Sequence, residues 1–271
     1  MPAPRTVLLT GAAGGMGTWM RELLPQYGYE LRLFDLVPVE GAPDAITADL
    51  ADEDALREAV RGVDAIVHLA GISVESTFEK ILRANIEGTH RVYEAAREAG
   101  VRRVVFASSN HAVGFTPRPA AEGDAAIPAG TRHRPDTFYG LSKAFGEDLG
   151  SYYWDKYGIE TVAIRIGSCD PEPLTVRALS TWLSPADAAR LLHAALSAEG
   201  VGFRVVYGSS ANTRLWWDLS SAYELRYEPQ DDAEVYAEGL IAEQGELVPG
   251  DPATDRLGGD FCTNPPLWDR F

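Results

Sequence analysis

Val7-Leu8-Leu9-Thr10-Gly11-Ala12-Ala13-Gly14-Gly15-Met16-Gly17 stands near the start of the chain, and its reading decides the fold. The apolar run Val7-Leu8-Leu9 reads as a buried strand. The glycines form a turn, and Trp19-Met20-Arg21-Glu22-Leu23-Leu24 continues as a helix. Strand, glycine turn and helix are the context that a dinucleotide fingerprint requires. Gly11 allows the tight turn, Gly14 lets a pyrophosphate approach the backbone, and Gly17 lets the helix pack closely on the sheet. The helix start supplies free N–H groups and positive dipole for phosphates. The spacing is GxxGxxG rather than GxGxxG, and a glycine cluster alone could be a plain loop.

The next strand reduces that alternative. It covers 31–35 and ends on Asp35. An acid about twenty residues past the glycines binds the hydroxyls of an adenosine ribose. An ordinary turn aspartate is the other reading of Asp35. A carboxylate there repels a 2′-phosphate; Leu36 and Val37 follow it, and the glycine turn holds no arginine. The expected cofactor is therefore NAD rather than NADP.

Farther along, Tyr139-Gly140-Leu141-Ser142-Lys143 puts a phenol and an ammonium four residues apart, on one face of a helix. A nearby cation favours the phenolate. Tyrosine ordinarily titrates near about 10, so it needs such help to act as a base at neutral pH. Ser108-Ser109 ends an apolar run upstream, and a serine hydroxyl there could orient the alcohol or carbonyl being transformed. The YxxxK spacing arises by chance in many helices; its weight comes from the glycine turn.

Between these motifs the chain alternates strand and helix without a linker or repeat. Strands are expected at 6–10, 31–35, 45–50, 65–69, 104–107, 161–166 and 204–207, and helices at 15–27, 53–61, 78–99, 137–157 and 186–198. Apolar runs bounded by turns and separated by helical patterns indicate an α/β fold with a doubly wound, Rossmann-type parallel sheet. Ligands bind such sheets outside the carboxyl ends of the strands. Gly11, Asp35, Gly71, Ser108-Ser109 and Gly167-Ser168 all follow strand ends. The Pro/Gly-rich stretch 116–136 reads as a loop over the site. The expected division is a dinucleotide-binding domain over 1–168 and a small substrate lobe over 169–271, packed as one unit. The tail's Trp216-Trp217-Asp218, Tyr227-Glu228-Pro229 and Phe261-Cys262-Thr263-Asn264-Pro265-Pro266 fall in that lobe, where aromatics are more often core than ligand contacts.

The 271 residues suffice for a large α/β core. A net charge of −16 argues against nucleic acid or an anionic membrane as partner. No apolar stretch is long enough to span a bilayer. Met1-Pro2-Ala3-Pro4-Arg5 runs straight into a strand, so no signal peptide is expected. Cys169 and Cys262 are too few for a disulfide framework or a zinc site, which points to a reducing cytoplasm. Cys169 reads as a small buried residue rather than a nucleophile. Only three lysines occur, Lys80, Lys143 and Lys156, so keeping one inside YxxxK favours a chemical role.

Together these features resemble the extended short-chain dehydrogenase/reductase superfamily over 7–206, with its sugar-nucleotide epimerases and dehydratases. The marks are Thr10-Gly11-xx-Gly14-xx-Gly17, Asp49-Leu50, His68-Leu69-Ala70-Gly71, Asn85, Ser108-Ser109, Tyr139-xxx-Lys143 and Arg165. The resemblance implies that Asp49 and Leu50 flank the adenine. It implies that Leu69, Ala70 and Gly71 line the cofactor path and that Asn85 supports the packing of the long helix. Met16, Ser108, Ile166 and Ser168 join the implied cofactor set, Ser168 near the nicotinamide. His68, before an alanine-glycine turn, reads as a hydrogen-bonded core residue.

Three strings narrow the match: Gly71-Ile72-Ser73-Val74-Glu75, Ala107-Ser108-Ser109-Asn110-His111, and Arg165-Ile166-Gly167-Ser168-Cys169-Asp170-Pro171-Glu172-Pro173. They look like the uronate dehydrogenase family, and Leu179-Ser180-Thr181-Trp182-Leu183 and Trp216-Trp217-Asp218 extend the likeness. That resemblance implies NAD-dependent oxidation of glucuronate or galacturonate at C1 to an aldarolactone. Tyr139 would be the general base, Lys143 would lower its pKa and hold the nicotinamide ribose, and Ser109 would hydrogen-bond O1. Substrate contacts would fall on Ser73, Ser109, Asn110, His111, Tyr139, Arg177 and Phe261. A uronate needs a cation for its carboxylate, and the fork of an arginine suits it. Arg177 could instead be a solvated surface residue, and His111 could cap or support the loop; no second ligand keeps metal spacing with His111. By analogy the helices 78–99 and 137–157 would pack against a second copy, giving a homo-oligomer. Two other readings stay open: a sugar-nucleotide epimerase, dehydratase or reductase on the same fold, and a non-enzymatic dinucleotide sensor.

Overall fold

Among the described residues seven of nine strands make one parallel sheet. In chain order the strands are β1 (Thr6–Thr10), β2 (Glu30–Asp35), β3 (Ile46–Thr47), β4 (Ala65–His68), β5 (Arg103–Ser109), β6 (Glu160–Ile166), β7 (Ser168–Cys169), β8 (Trp182–Leu183) and β9 (Phe203–Gly208). The sheet runs β3-β2-β1-β4-β5-β6-β9, and β7 and β8 pair separately. The order reverses between β1 and β4, which creates the crevice where doubly wound folds bind their ligands. This computed structural model describes residues 5–119, 126–251 and 253–264. Met1 through Pro4, the middle of the expected loop over 116–136, and Pro265, Pro266 and Phe271 of the tail lie outside them.

The helices are α1 (Gly15–Leu23), α2 (Glu53–Val60), α3 (Phe78–Ile81), α4 (Gly88–Ala99), α5 (Phe138–Tyr157), α6 (Pro185–Ser197), α7 (Ser220–Tyr223) and α8 (Ala237–Gln244). Side chains alternate across each strand, so neighbours enter opposite cores. Val7, Leu9 and Val67 pack with Met20 of α1 and Leu191 and Leu192 of α6. Leu8, Ile66 and Val104 pack with Leu56 of α2, Val92 and Tyr93 of α4 and Tyr153 of α5. Strands covered on both faces become continuous apolar runs, as the sequence shows.

Three elements differ from their expected form. The helix over 15–27 ends at Leu23, and a 3₁₀ turn over Leu24–Tyr27 follows, because Pro25 lacks the N–H that would continue the α pattern. The strand expected at 45–50 shortens to Ile46–Thr47 at the sheet edge. The helix over 78–99 contains a π-helical turn, Leu82–Glu87. Residues beyond 168 complete the main sheet through β9 and cover it through α6, so the expected substrate lobe is continuous with the residues before it. The aromatics of that lobe are core: Tyr207, Trp216, Trp217 and Leu219 pack with Val113, Ile127 and Leu257.

Candidate active site

The glycine turn leaves β1 as expected. Gly11 has φ +74°, and a Cβ there would stand 2.7 Å from the Ala70 nitrogen. A Cβ on Gly17 would stand 2.1 Å from the Gly11 carbonyl oxygen, so only glycine lets α1 begin this close to the turn. Gly14 precedes α1, and a Cβ on Gly15 would meet nothing within 4 Å, which leaves the outer face of the turn open. Met16 packs partly into the core beneath. Asp35 closes the turn from β2: its Oδ2 accepts from the Ala13 N–H at 2.9 Å and its Oδ1 from the Val37 N–H at 3.1 Å. A carboxylate keeps further lone pairs for two ribose hydroxyls. These groups fit a dinucleotide by shape and donor set.

The edge beyond β4 is built by the π-helical turn. Such turns re-aim a side chain within a helix. Here Asn85 accepts from the Ile72 N–H at 2.8 Å and donates to the Ile72 carbonyl at 2.9 Å and to the Ser142 hydroxyl at 3.0 Å. Its amide ties the Gly71-Ile72 loop to α5. Leu69 and Ala70 hang from Thr10 through its carbonyl and hydroxyl. Asp49 accepts from the Ala51 N–H at 2.9 Å, and Leu50 is buried against Gly88. Ser73 is exposed at the mouth of this loop. His68 is core, bonded to Thr10 Oγ1 at 2.7 Å and Thr89 Oγ1 at 3.2 Å, and burial pushes its imidazole down to about 3.

Tyr139 and Lys143 both lie on α5 and are buried. The Lys143 ammonium lies 5.5 Å from the centre of the Tyr139 ring and donates to the Ala107 carbonyl at 2.6 Å. Ser109, at the end of β5, donates to Asn110 Oδ1 at 3.3 Å and accepts from the His111 N–H at 3.2 Å. The titration differs from expectation. Burial pushes the Tyr139 phenol up to about 12; the Ser109 hydroxyl opposes this and Asp136 adds to it. Burial also pushes the Lys143 ammonium down to about 8. In the protein alone desolvation therefore outweighs the expected help from the lysine. Ser108 points the other way: its hydroxyl donates to Glu147 at 2.5 Å, which takes up its one side-chain proton.

His111 follows Ser109 in a 3₁₀ turn, Asn110–Val113. Its ring stacks on Phe261 with centroids 4.2 Å apart and meets the Tyr139 ring edge-on at 5.6 Å. Its Nδ1 lies 2.7 Å from Asp136 Oδ2. Asn110 donates to the Leu257 carbonyl at 2.5 Å, and Arg177 donates to the same oxygen. The surface alternative for Arg177 fails. Its guanidinium lies over the Trp216 ring at 5.3 Å, and burial pushes its pKa down to about 10. Among the described residues Arg177 Nε and Ser168 Oγ are buried and find no hydrogen-bond partner. Ile166 and Ser168 flank Gly167 at the end of β6. Burial pushes the Cys169 thiol up to about 12, which disfavours the thiolate.

Sequence reasoning missed Glu75, Asp136, Glu147 and Leu257. Glu75 accepts from the Tyr139 N–H at 2.9 Å at the start of α5. Glu147 alone carried a signal, one further four-residue step after Tyr139 and Lys143 on the same helix face. Among the described residues no group of three or more His, Cys, Asp or Glu side chains could hold a metal ion.

The NAD dependent epimerase/dehydratase family matches residues 7–169. The chain belongs to this family. Within the family it is similar to uronate dehydrogenases. It is 49% identical over 268 residues to the uronate dehydrogenase of Pseudomonas syringae pv. tomato, covering 97% of this chain and 95% of that protein. The glucuronic acid dehydrogenase of Chromohalobacter salexigens superposes with a TM-score of 0.92 at 44% identity, covering 98% of this chain and 99% of that one. A mutant uronate dehydrogenase of Agrobacterium tumefaciens, complexed with NAD, gives 0.89 at 44% identity, covering 96% and 98%. An epimerase/dehydratase-family sheet, with its glycine turn at the switch point, is what this chain presents.

Proposed function

We propose that this protein oxidises a free uronic acid, glucuronate or galacturonate, at C1 with NAD and releases the aldarolactone. The observation that carries the reading is Arg177, an enclosed guanidinium with a buried N–H that has no acceptor among the described residues. An enclosed cation is stabilised by a hydrogen-bonded anion. Arg177 and Asn110 share the Leu257 carbonyl, and Asn110 adjoins Ser109, so the cation belongs to the same site as the phenol. The carboxylate of a uronate supplies the missing acceptor.

Gly11, Gly14, Gly17 and Asp35 would hold the pyrophosphate and adenosine ribose, and Ser168 and Lys143 would serve the nicotinamide end. NAD, when bound, supplies a cationic ring that accepts hydride. Tyr139, in its phenolate form, takes the O1 proton as general base while C1 loses hydride. Ser109 hydrogen-bonds O1 and holds it against the phenol. Lys143 keeps a positive charge beside the phenol and anchors the ribose. Ser73, Asn110, His111 and Phe261 complete the sugar contacts, drawn partly from the region 169–271. The proposal includes a cytoplasmic homo-oligomer joined through the helical stretch 78–99, which holds α3 and α4, and through α5. Among the described residues no helix is long and apolar enough to cross a membrane.

The test is a panel of free sugars, sugar acids and sugar nucleotides, following NADH absorbance. Glucuronate or galacturonate should reduce NAD far faster than glucose or galactose. Turnover confined to sugar nucleotides would overturn the reading and favour the epimerase-type alternative.

A further inference from the structure

Asp136 has a side chain with no exposed surface, although it ends a polar loop. Three glycines make room for it. A Cβ on Gly114 would stand 1.9 Å from its Oδ2, one on Gly258 1.8 Å from the same oxygen, and one on Gly140 2.9 Å from Oδ1. These glycines come from the loop after β5, the C-terminal segment and α5, so three distant parts of the chain close around one carboxylate.

Each oxygen has its own donor. Oδ1 accepts from the Thr137 hydroxyl at 2.9 Å. That hydroxyl accepts in turn from the Gly140 N–H at 3.0 Å, so its own proton goes to Asp136. Oδ2 lies 2.7 Å from His111 Nδ1; the Cys262 thiol, 3.8 Å from Oδ2, has a nearer acceptor in the Gly114 carbonyl at 3.3 Å. A carboxylate only accepts, so Nδ1 carries the proton, and in the neutral ring Nε2 is left as an acceptor. Phe261 and Tyr139 fix the plane of the ring. Nε2 lies on the side of the ring away from Asp136.

We propose that Asp136 is a positioning residue: it fixes the His111 tautomer so that Nε2 accepts a hydrogen bond from a sugar hydroxyl. The inference rests on the proposed substrate class, and it assigns His111 one polarity, acceptor rather than donor. The geometry also says what Asp136→Asn does. The Thr137 hydroxyl needs an acceptor, so the amide oxygen stays there and the amide nitrogen turns to His111. An N–H facing Nδ1 moves the ring proton to Nε2. The substrate hydroxyl then meets a donor where it met an acceptor.

Two measurements test this. Ring nitrogen resonances of labelled protein, with His111 assigned by their loss in His111→Ala, should show the Nδ1–H tautomer in the wild type and the Nε2–H tautomer in Asp136→Asn. Kinetically, Asp136→Asn should raise the KM for glucuronate about ten- to a hundredfold and leave the KM for NAD within about twofold. In a His111→Ala background the same substitution should change the glucuronate KM by less than about twofold, because its effect travels through the imidazole. An equal loss in both backgrounds would make Asp136 a packing residue and overturn the proposal. A wild-type ring protonated at Nε2, or at both nitrogens, would overturn it too, even if Asp136→Asn fails to fold. Absence of glucuronate turnover by the wild type would instead overturn the substrate reading, and the ring resonances would still decide the role of Asp136.

Discussion

Arg165 grips Glu147 with two parallel hydrogen bonds, Nε at 2.9 Å and Nη2 at 2.7 Å, in a pair closed off from solvent. Ser108 and His133 donate to the same carboxylate, which ties β5, β6, α5 and the loop over the site into one network.

That network makes stability depend on pH. Its hydrogen bond to Glu147 is the largest cause that raises His133 above the ordinary imidazole range. A raised folded-state value means the unfolded chain holds the proton less tightly. The stabilisation is fully present below about pH 6.5, the unfolded value, and is lost as pH rises through the higher folded value. His133→Asn should therefore lower Tm more at pH 6 than at pH 9. A gap between variant and wild type that widens with rising pH would contradict this.

Tyr139→Phe should reduce turnover roughly a hundredfold or more while NAD still binds. The wild-type kcat/KM profile should climb through neutrality, because the phenol is pushed up to about 12. It should stop climbing near pH 8, where Lys143, pushed down to about 8, gives up its charge. A flat profile from pH 6 to 9 would assign the base elsewhere.

Asp35 should set the choice of cofactor. Its carboxylate already orders the glycine turn through the Ala13 N–H, so Asp35→Ala should weaken NAD and narrow the preference over NADP. Steady-state kinetics with both cofactors measure it; equal efficiency of the wild type with NADP would sink the assignment.

Arg177→Ala should raise the KM for glucuronate and galacturonate about tenfold to over a hundredfold, the range for a lost charge-assisted bond. Activity toward glucose should start low and change little. An equal proportional loss on both sugars would assign the residue to structure, since it also braces Leu257.

Light scattering at working concentration should give a mass above one chain. Helix α5 exposes Leu141, Tyr152, Trp154 and Tyr157, and the exposed Phe78 of α3 meets Phe138 of α5 with ring centroids 5.3 Å apart, a supply of apolar surface for a partner copy. A monomeric mass would rule this contact out.

What the sequence alone determined is local. The glycines at 11 and 17, the buried strands, Asp35 at a strand end and the four-residue step from Tyr139 to Lys143 follow from backbone sterics and from the periods of strand and helix. Those rules act within a few residues, so they are legible without coordinates. Burial and pairing act between residues far apart in the chain, and only the tertiary structure decided them. Asp136 reads as a loop acid until three glycines and His111 close around it. Arg177 could be a surface residue until Trp216 and Leu257 enclose it. Lys143 stands beside Tyr139 as its spacing says, yet the phenol titrates high, because the same folding that brings the cation near removes the water that would stabilise a phenolate.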